Sequence, residues 1–232
     1  ATPMDGAFTR PKCHDVLSYL NKQKGITIQT DFGTGEVDGE GRKLVAYDEQ
    51  EIPYDLLVSI PVHSGARFVE DSGLGNELGF VPTHKNTLRA KQHEDIFVLG
   101  DATDLPSSKA GSVAHFQSEV LEENLLHAMA GKSLEEGFDG HANCFIETGF
   151  GRAILIDFNY DTEPLSGKFP LPGIGPMTLL GESRLNHLGK LAFRWVYWNM
   201  LLPGRPIPMV DARMSMRGKS DTTPALPALD EV

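Results

Sequence analysis

The sequence predicts an α/β protein, on three observations. Two runs, Leu56-Leu57-Val58-Ser59-Ile60 and Ile96-Phe97-Val98-Leu99, are almost continuously apolar, as strands covered on both faces of a parallel sheet are. The second run feeds directly into Gly100-Asp101. A helical pattern follows shortly after it, so strand, turn and helix succeed one another as in open α/β sheets.

In chain order, residues 11–24 place Val16, Leu17 and Leu20 at helical spacing, with Pro11 near the start and Gly25 past the end, which predicts a helix. Ile26-Thr27-Ile28-Gln29-Thr30 alternates as a short strand. Residues 33–41 form a Gly-rich connector, and 43–47 with 51–54 predict a hairpin. The apolar run 56–60 closes at Pro61. Residues 62–95 are rich in Gly, His and charge with little periodicity, and predict loop with short strands or turns. Beyond the strand 96–99 comes the small-residue loop Pro106-Ser107-Ser108-Lys109-Ala110-Gly111. Val113, Phe116, Val120, Leu121 and Leu125 then predict a helix over about 112–129, with Gly131 as its stop. Residues 143–160 predict two strands around Gly149 and Gly151, and the Pro/Gly-rich stretch 164–176 an extended loop. Residues 185–202 predict a helix closed by Pro203-Gly204, and the small, charged, Pro-containing residues from about Met214 onward predict a disordered tail.

Composition narrows the function. The 40% hydrophobic and 23% charged content is that of a globular chain. Twenty-one Lys and Arg against 32 Asp and Glu leave a net charge of −11, which argues against nucleic acid because phosphate neutralisation needs a basic surface. Two cysteines, Cys13 and Cys144, cannot build a disulfide framework, and their spacing excludes a structural zinc site. No apolar run reaches the roughly 17 to 25 residues of a spanning helix, and no export leader opens the chain. Its start, Ala1-Thr2-Pro3 without an initiator Met, reads as entry partway through a larger polypeptide.

Chemistry concentrates in three places. Asp101, at the carboxyl end of a predicted strand, lies where open sheets bind ligands and can accept from a sugar-like hydroxyl. The next helix points its amino terminus there, and Lys109 adds a cation that suits an anionic reduced cofactor. A turn-forming Asp101 and a solvated Lys109 explain the same pattern. The stretch Gly33-Thr34-Gly35-Glu36-Val37-Asp38-Gly39 misses the G-x-G-x-x-G spacing and precedes no helix, so it reads as a turn. Cys144 becomes a nucleophile only as thiolate, which needs positive charge, a helix terminus or a flavin edge nearby, whereas Cys13 reads as structural. Finally, residues 191–202 are apolar almost all round and hold both tryptophans. That run is either packed core or an interfacial membrane anchor made of Phe193, Trp195, Tyr197, Trp198, Leu201 and Leu202.

Gly100-Asp101-Ala102-Thr103 with Pro106-Ser107-Ser108-Lys109-Ala110-Gly111, and then Gly140-His141-Ala142-Asn143-Cys144-Phe145, resemble the sulfide:quinone oxidoreductase branch of the two-dinucleotide-domain flavoproteins. The resemblance runs from Gly6 to about Pro208. It implies an incomplete FAD/NAD(P)-binding, Rossmann-like three-layer fold with an amphipathic helical region at its carboxyl end. Residues 1–61 would finish the second dinucleotide domain, 62–132 would return to the FAD domain, 133–212 would form the quinone-side, membrane-facing region, and 213–232 would be tail. The implied flavin contacts are Gly100, Asp101, Lys109 and Gly111, with Asp101 on a ribityl hydroxyl and Lys109 near the pyrimidine oxygen. In that family sulfide attacks an active-site disulfide or polysulfide, leaving a persulfide on one cysteine while the other passes two electrons to FAD, and the reduced flavin reduces quinone on its opposite side. Cys144 matches the carboxyl-terminal cysteine, whose partner is implied upstream of Ala1, and Phe145 resembles the aromatic that stacks on quinone.

The resemblance thus implies sulfide or a related thiol as donor, a membrane quinone as acceptor, and a peripheral position on the cytoplasmic side of a membrane. Two alternatives stand beside it: an NADH:quinone oxidoreductase, against which Cys144 argues, and a non-catalytic module that docks on membranes or forms a homo-oligomer through exposed sheet edges.

Overall fold

Pro11 at the first helical position opens α1 (Pro11–Gln23), whose buried face is Cys13, Val16 and Leu20. Gly25, at φ +68°, turns the chain where a side chain would be strained. In this computed structural model the described residues are 1–60, 62–171, 173, 175–205, 207 and 210–222. They divide into two compact units, one reaching residue 62 and one starting at His63.

In the first unit three strands follow α1: β1 (Thr34–Asp38), β2 (Lys43–Ala46) and β3 (Glu51–Pro53), paired antiparallel in that order. The predicted hairpin is present as β2 and β3, and the Gly-rich connector supplies the polar edge strand β1, which no apolar alternation marks. Residues 26–30 do not form a strand. Their contacts are single backbone bonds, such as Thr2 N–H to the Gln29 carbonyl at 2.9 Å. The run 56–60 departs furthest from expectation. Leu56, Val58 and Ile60 are 82%, 88% and 81% exposed and adopt no strand, because among the described residues no neighbouring strand pairs with them.

The second unit begins with the short helix α2 (Arg67–Asp71), whose Val69 joins Val81, Ala90 and Val98 in a small core. Residues 96–99 are not a parallel strand either. They fold back on 88–90, with Ala90 N–H donating to Ile96 and Val98 N–H to Leu88, both at 2.9 Å, so the apolar run meets a local antiparallel partner. A 3₁₀ turn over Gly100–Ala102 leads on to α3 (Gly111–Met129). Val113, Phe116 and Val120 are buried as expected, but Leu125 is 41% exposed and Asn124 takes the inner position. The Asn124 amide there bridges Thr87, Glu135 and its own helix.

Five of the remaining strands run β4 (Ala142–Gly149), β5 (Arg152–Phe158), β6 (Ser166–Phe169), β7 (Met177–Leu179) and β8 (Glu182–Ser183). α4 (Arg184–Val196) follows, then a π-helical turn over Tyr197–Leu201, and β9 (Lys219–Ser220) completes the sheet. Its order is β4-β5-β7-β6-β9, with β8 on β5. Among the described strands of this sheet only β5 and β7 pair in parallel. β4 and β5 form the predicted hairpin, turning through Gly149, Phe150 and Gly151, all at positive φ. Strand β6 lies inside the stretch expected to be loop. The chain is α/β as the sequence predicts, although most of its strand pairing is antiparallel. The expected tail is described as far as residue 222, where β9 pairs with β6; residues 223–232 lie outside the described residues.

Candidate functional site

The turn at Gly100 packs against the first turn of α3. Gly100 sits at φ +66° and its N–H donates to Gln117 Oε1 at 2.6 Å, which ties the turn to the helix. Asp101 is exposed on that turn. Lys109 reaches back to donate to the Thr103 carbonyl at 2.7 Å and the Asp101 carbonyl at 3.4 Å, with its ammonium 4.6 Å from the centre of the Phe80 ring. Burial pushes the Lys109 ammonium below its ordinary value, against the fields of Asp101 and Asp104. Helix α3 starts at Gly111 with no side-chain cap. Its first intrahelical bond is Ala114 N–H to Ala110, so its earliest N–H groups and positive dipole end remain available to a ligand. The structure therefore gathers Gly100, Asp101, Lys109 and Gly111 at one helix end. A sugar hydroxyl acceptor, a cation and open N–H groups suit the ribityl and pyrimidine end of a flavin.

Strand β4 carries the second group. Successive strand residues face opposite sides, so Cys144 and Phe145 point apart. Burial pushes the Cys144 thiol up; a hydrogen bond with Ser108 opposes this, and the Asp157 carboxylate adds to it. Phe145 faces α4, where a Cβ on Gly189 would stand 2.8 Å from Met177 Sδ and 3.3 Å from Phe145 Cζ. Only glycine lets the helix approach this closely. Between β4, α4 and the amino end of α3 lies an apolar groove of about 570 Å³, bordered by Phe116, Cys144, Phe145, Phe193 and Val196. Among the described residues that border it, the one buried side-chain polar atom without a partner is Asn143 Nδ2.

Helix α4 resolves the two explanations of its apolar run into two faces. Asn186 is wholly buried and joins α4 to β7, donating to the Thr178 and Gly181 carbonyls and accepting from Thr178 N–H. On the other side Leu185, Leu188, Leu191, Trp195, Trp198 and Leu202 are each more than half exposed, at spacings of three or four residues that align them as one stripe. Of the proposed anchor residues, Trp195, Trp198 and Leu202 face outward, while Tyr197 is 41% exposed and borders the groove. Phe193 turns into the groove, and Leu201 is 8% exposed, packed inward by the π-helical turn. Among the described residues no helix is long and apolar enough to cross a membrane.

One constellation gave no sequence signal. His141 Nε2 lies 2.9 Å from Asp157 Oδ1, and its Nδ1 lies 2.8 Å from the Asp211 carbonyl. Lys219 Nζ completes the cluster 2.9 Å from Asp157 Oδ2. All three side chains are nearly inaccessible, and the imidazole stacks on Phe116 at 4.4 Å. Lys219 comes from the expected tail, and no spacing pattern links positions so far apart in the chain.

No family model matches the chain. Sequence relatives are more informative. The mitochondrial sulfide:quinone oxidoreductase of Schizosaccharomyces pombe is 31% identical over 209 residues, covering 85% of this chain and 44% of that protein. The mitochondrial enzyme of the same name from Mus musculus is 25% identical over 88% of this chain and 45% of its own length. Among solved structures, the sulfide:quinone oxidoreductase of Aquifex aeolicus superposes with a TM-score of 0.66 at 15% identity, covering 88% of this chain and 49% of that one, a likeness of fold. The chain spans a little under half the length of the curated relatives it matches. By sequence, and on an α/β fold shared with the Aquifex aeolicus structure, this chain belongs to the sulfide:quinone oxidoreductase family.

Proposed function

We propose that the chain forms the flavin- and quinone-facing portion of a flavoprotein that oxidises sulfide and reduces a membrane quinone. The observation that carries this reading is the divergence of Cys144 and Phe145 on β4. The thiol, beside Ser108, and the aromatic ring leave the strand in opposite directions, yet both residues border the apolar groove next to the open amino end of α3. Bound FAD would supply a two-electron carrier between donor and acceptor. Gly100 keeps the turn close to α3, Asp101 accepts from a ribityl hydroxyl, and Lys109 and the N–H groups at Gly111 hold negative charge at the pyrimidine end. Cys144 handles the sulfur, and Phe145 stacks on the quinone ring inside the groove. In this reading residues 62–132 complete the flavin domain and 133–212 face the quinone.

The stripe on α4 supports peripheral membrane contact in the same reading. Outward tryptophans beside Lys190 and Arg194 suit a helix lying in one leaflet, with long cationic side chains reaching its polar surface. A quinone could then enter the groove from lipid.

The test is stopped-flow reduction of the natural full-length, flavin-loaded protein. Sulfide should bleach the visible flavin band rapidly, and Cys144→Ser should abolish that bleaching. Bleaching by NADH and not by sulfide, or a normal rate in Cys144→Ser, would overturn the proposal.

A further inference from the structure

Strand alternation gives the groove a polar end. Asn143, Phe145 and Glu147 lie at every second position of β4 and so share a face, with His141 just before the strand. Each of the other three is accounted for: His141 by Asp157 and Asp211, Phe145 by its packing against Gly189, and Glu147 by His187 at 3.0 Å and Lys190 at 3.7 Å. Asn143 is the exception. Its carbonyl oxygen on the main chain accepts from the Ser112 hydroxyl at 3.1 Å, yet its side-chain Nδ2 is buried and makes no hydrogen bond. Native interiors rarely leave an amide donor unpaired, and this one borders a groove whose other walls are mainly apolar.

We propose that Asn143 is the positioning and specificity residue of the groove, donating from Nδ2 to a carbonyl oxygen on a flat ring held against Phe145. The inference rests on the reading of the groove as a quinone site and deepens it. An apolar ring satisfies the walls and the Phe145 face, but only a ring bearing an acceptor satisfies Asn143. Sites built to hydrogen-bond a ligand reject analogues that lack the matching atom far more strongly than apolar walls reject a change of shape. Asn143 would thus select carbonyl-bearing rings from the hydrocarbon around them. It acts by binding and orientation, with no proton or electron passing through it.

The probes are menadione and 2-methylnaphthalene, which share a methylated fused ring and differ in the two carbonyl oxygens. Equilibrium titration of the natural full-length, flavin-loaded protein should show tighter binding of menadione. Asn143→Leu, which keeps the branched heavy-atom skeleton and removes the donor, should weaken menadione about tenfold and leave the hydrocarbon unchanged. Asn143→Asp, close in shape, replaces the donor with an acceptor and should do the same, so a folding defect in one variant does not decide the matter. Ala192→Trp, which fills the groove, should exclude both rings. Binding of neither ring to the unaltered protein, or binding that survives Ala192→Trp, overturns the groove reading itself. Binding lost in Ala192→Trp, with a preference for menadione that both Asn143 variants retain, overturns the assignment of Asn143 alone.

Discussion

Cys144 reacts only after it loses its proton, and its surroundings resist that loss. Burial and the Asp157 field both hold the proton on, and the Ser108 hydroxyl is the group that relieves them. Ser108→Ala should therefore move the pH midpoint for alkylation of Cys144 further upward and slow modification at pH 8. Iodoacetamide labelling followed by mass spectrometry across a pH series checks this, and an unchanged midpoint would remove Ser108 from the account. The same pull applies to folding. A thiol raised above its unfolded value binds its proton more tightly in the folded state, so its contribution to stability is present below the unfolded thiol's value and is lost as pH rises from there through the raised folded value. Cys144 and Phe145 were legible as neighbours in the sequence, whereas Ser108 beside the thiol was not, because a loop and a strand meet there only in three dimensions. Lys109 was legible as a cation near the turn, but its anchoring to the Thr103 carbonyl was not.

Helix α4 shows how far local pattern reaches. The sequence places its start near residue 185, and the structure caps it with Ser183 Oγ accepting from Asn186 N–H at 3.0 Å. Ser183→Ala should cost about 1 kcal/mol, measured as a shift in the urea midpoint. An apolar run with both tryptophans left core and interface equally open, since composition does not say which face meets β5 and β7. The fold decides it through Asn186, whose buried amide fixes the inner face, and through Gly189, which allows close packing. The outward stripe then sets the next expectation. Trp195→Glu combined with Trp198→Glu puts two charges where lipid contact is proposed, and should release the natural full-length protein from liposomes in a flotation assay. Unchanged flotation would mean the stripe does not meet lipid. The apolar runs 56–60 and 96–99 mark the opposite case. Apolar runs announce burial, yet one is exposed and the other pairs with 88–90, because strand identity depends on the partner available.

Across the larger unit, the carboxyl-terminal segment is held by charge rather than by apolar burial. Lys219 and His141 both rely on Asp157, and all three are shielded from water. Removing one member of such a cluster leaves the others buried and uncompensated. Asp157→Ala should lower the unfolding free energy by about 3–5 kcal/mol, read from urea denaturation, with loss of order concentrated at residues 211–220 in hydrogen exchange. A loss below 1 kcal/mol would show that water reaches the cluster. Arg213 adds to the same attachment by donating to the Gly137 carbonyl at 2.9 Å and to the Glu136 carbonyl.

The sequence by itself determined the α/β class, α1, the β2–β3 and β4–β5 hairpins, α3 and the start of α4, because each rests on short-range periodicity, turn glycines or caps. It also singled out Gly100, Asp101, Lys109, Gly111, Cys144 and Phe145, which lie in compact local motifs. The tertiary structure alone decided which apolar runs became strands, which side of α4 stayed exposed, and how His141, Asp157 and Lys219 meet. Those outcomes depend on partners distant in the chain, and the desolvation and pairing energies that select them exist only once the surfaces are in contact.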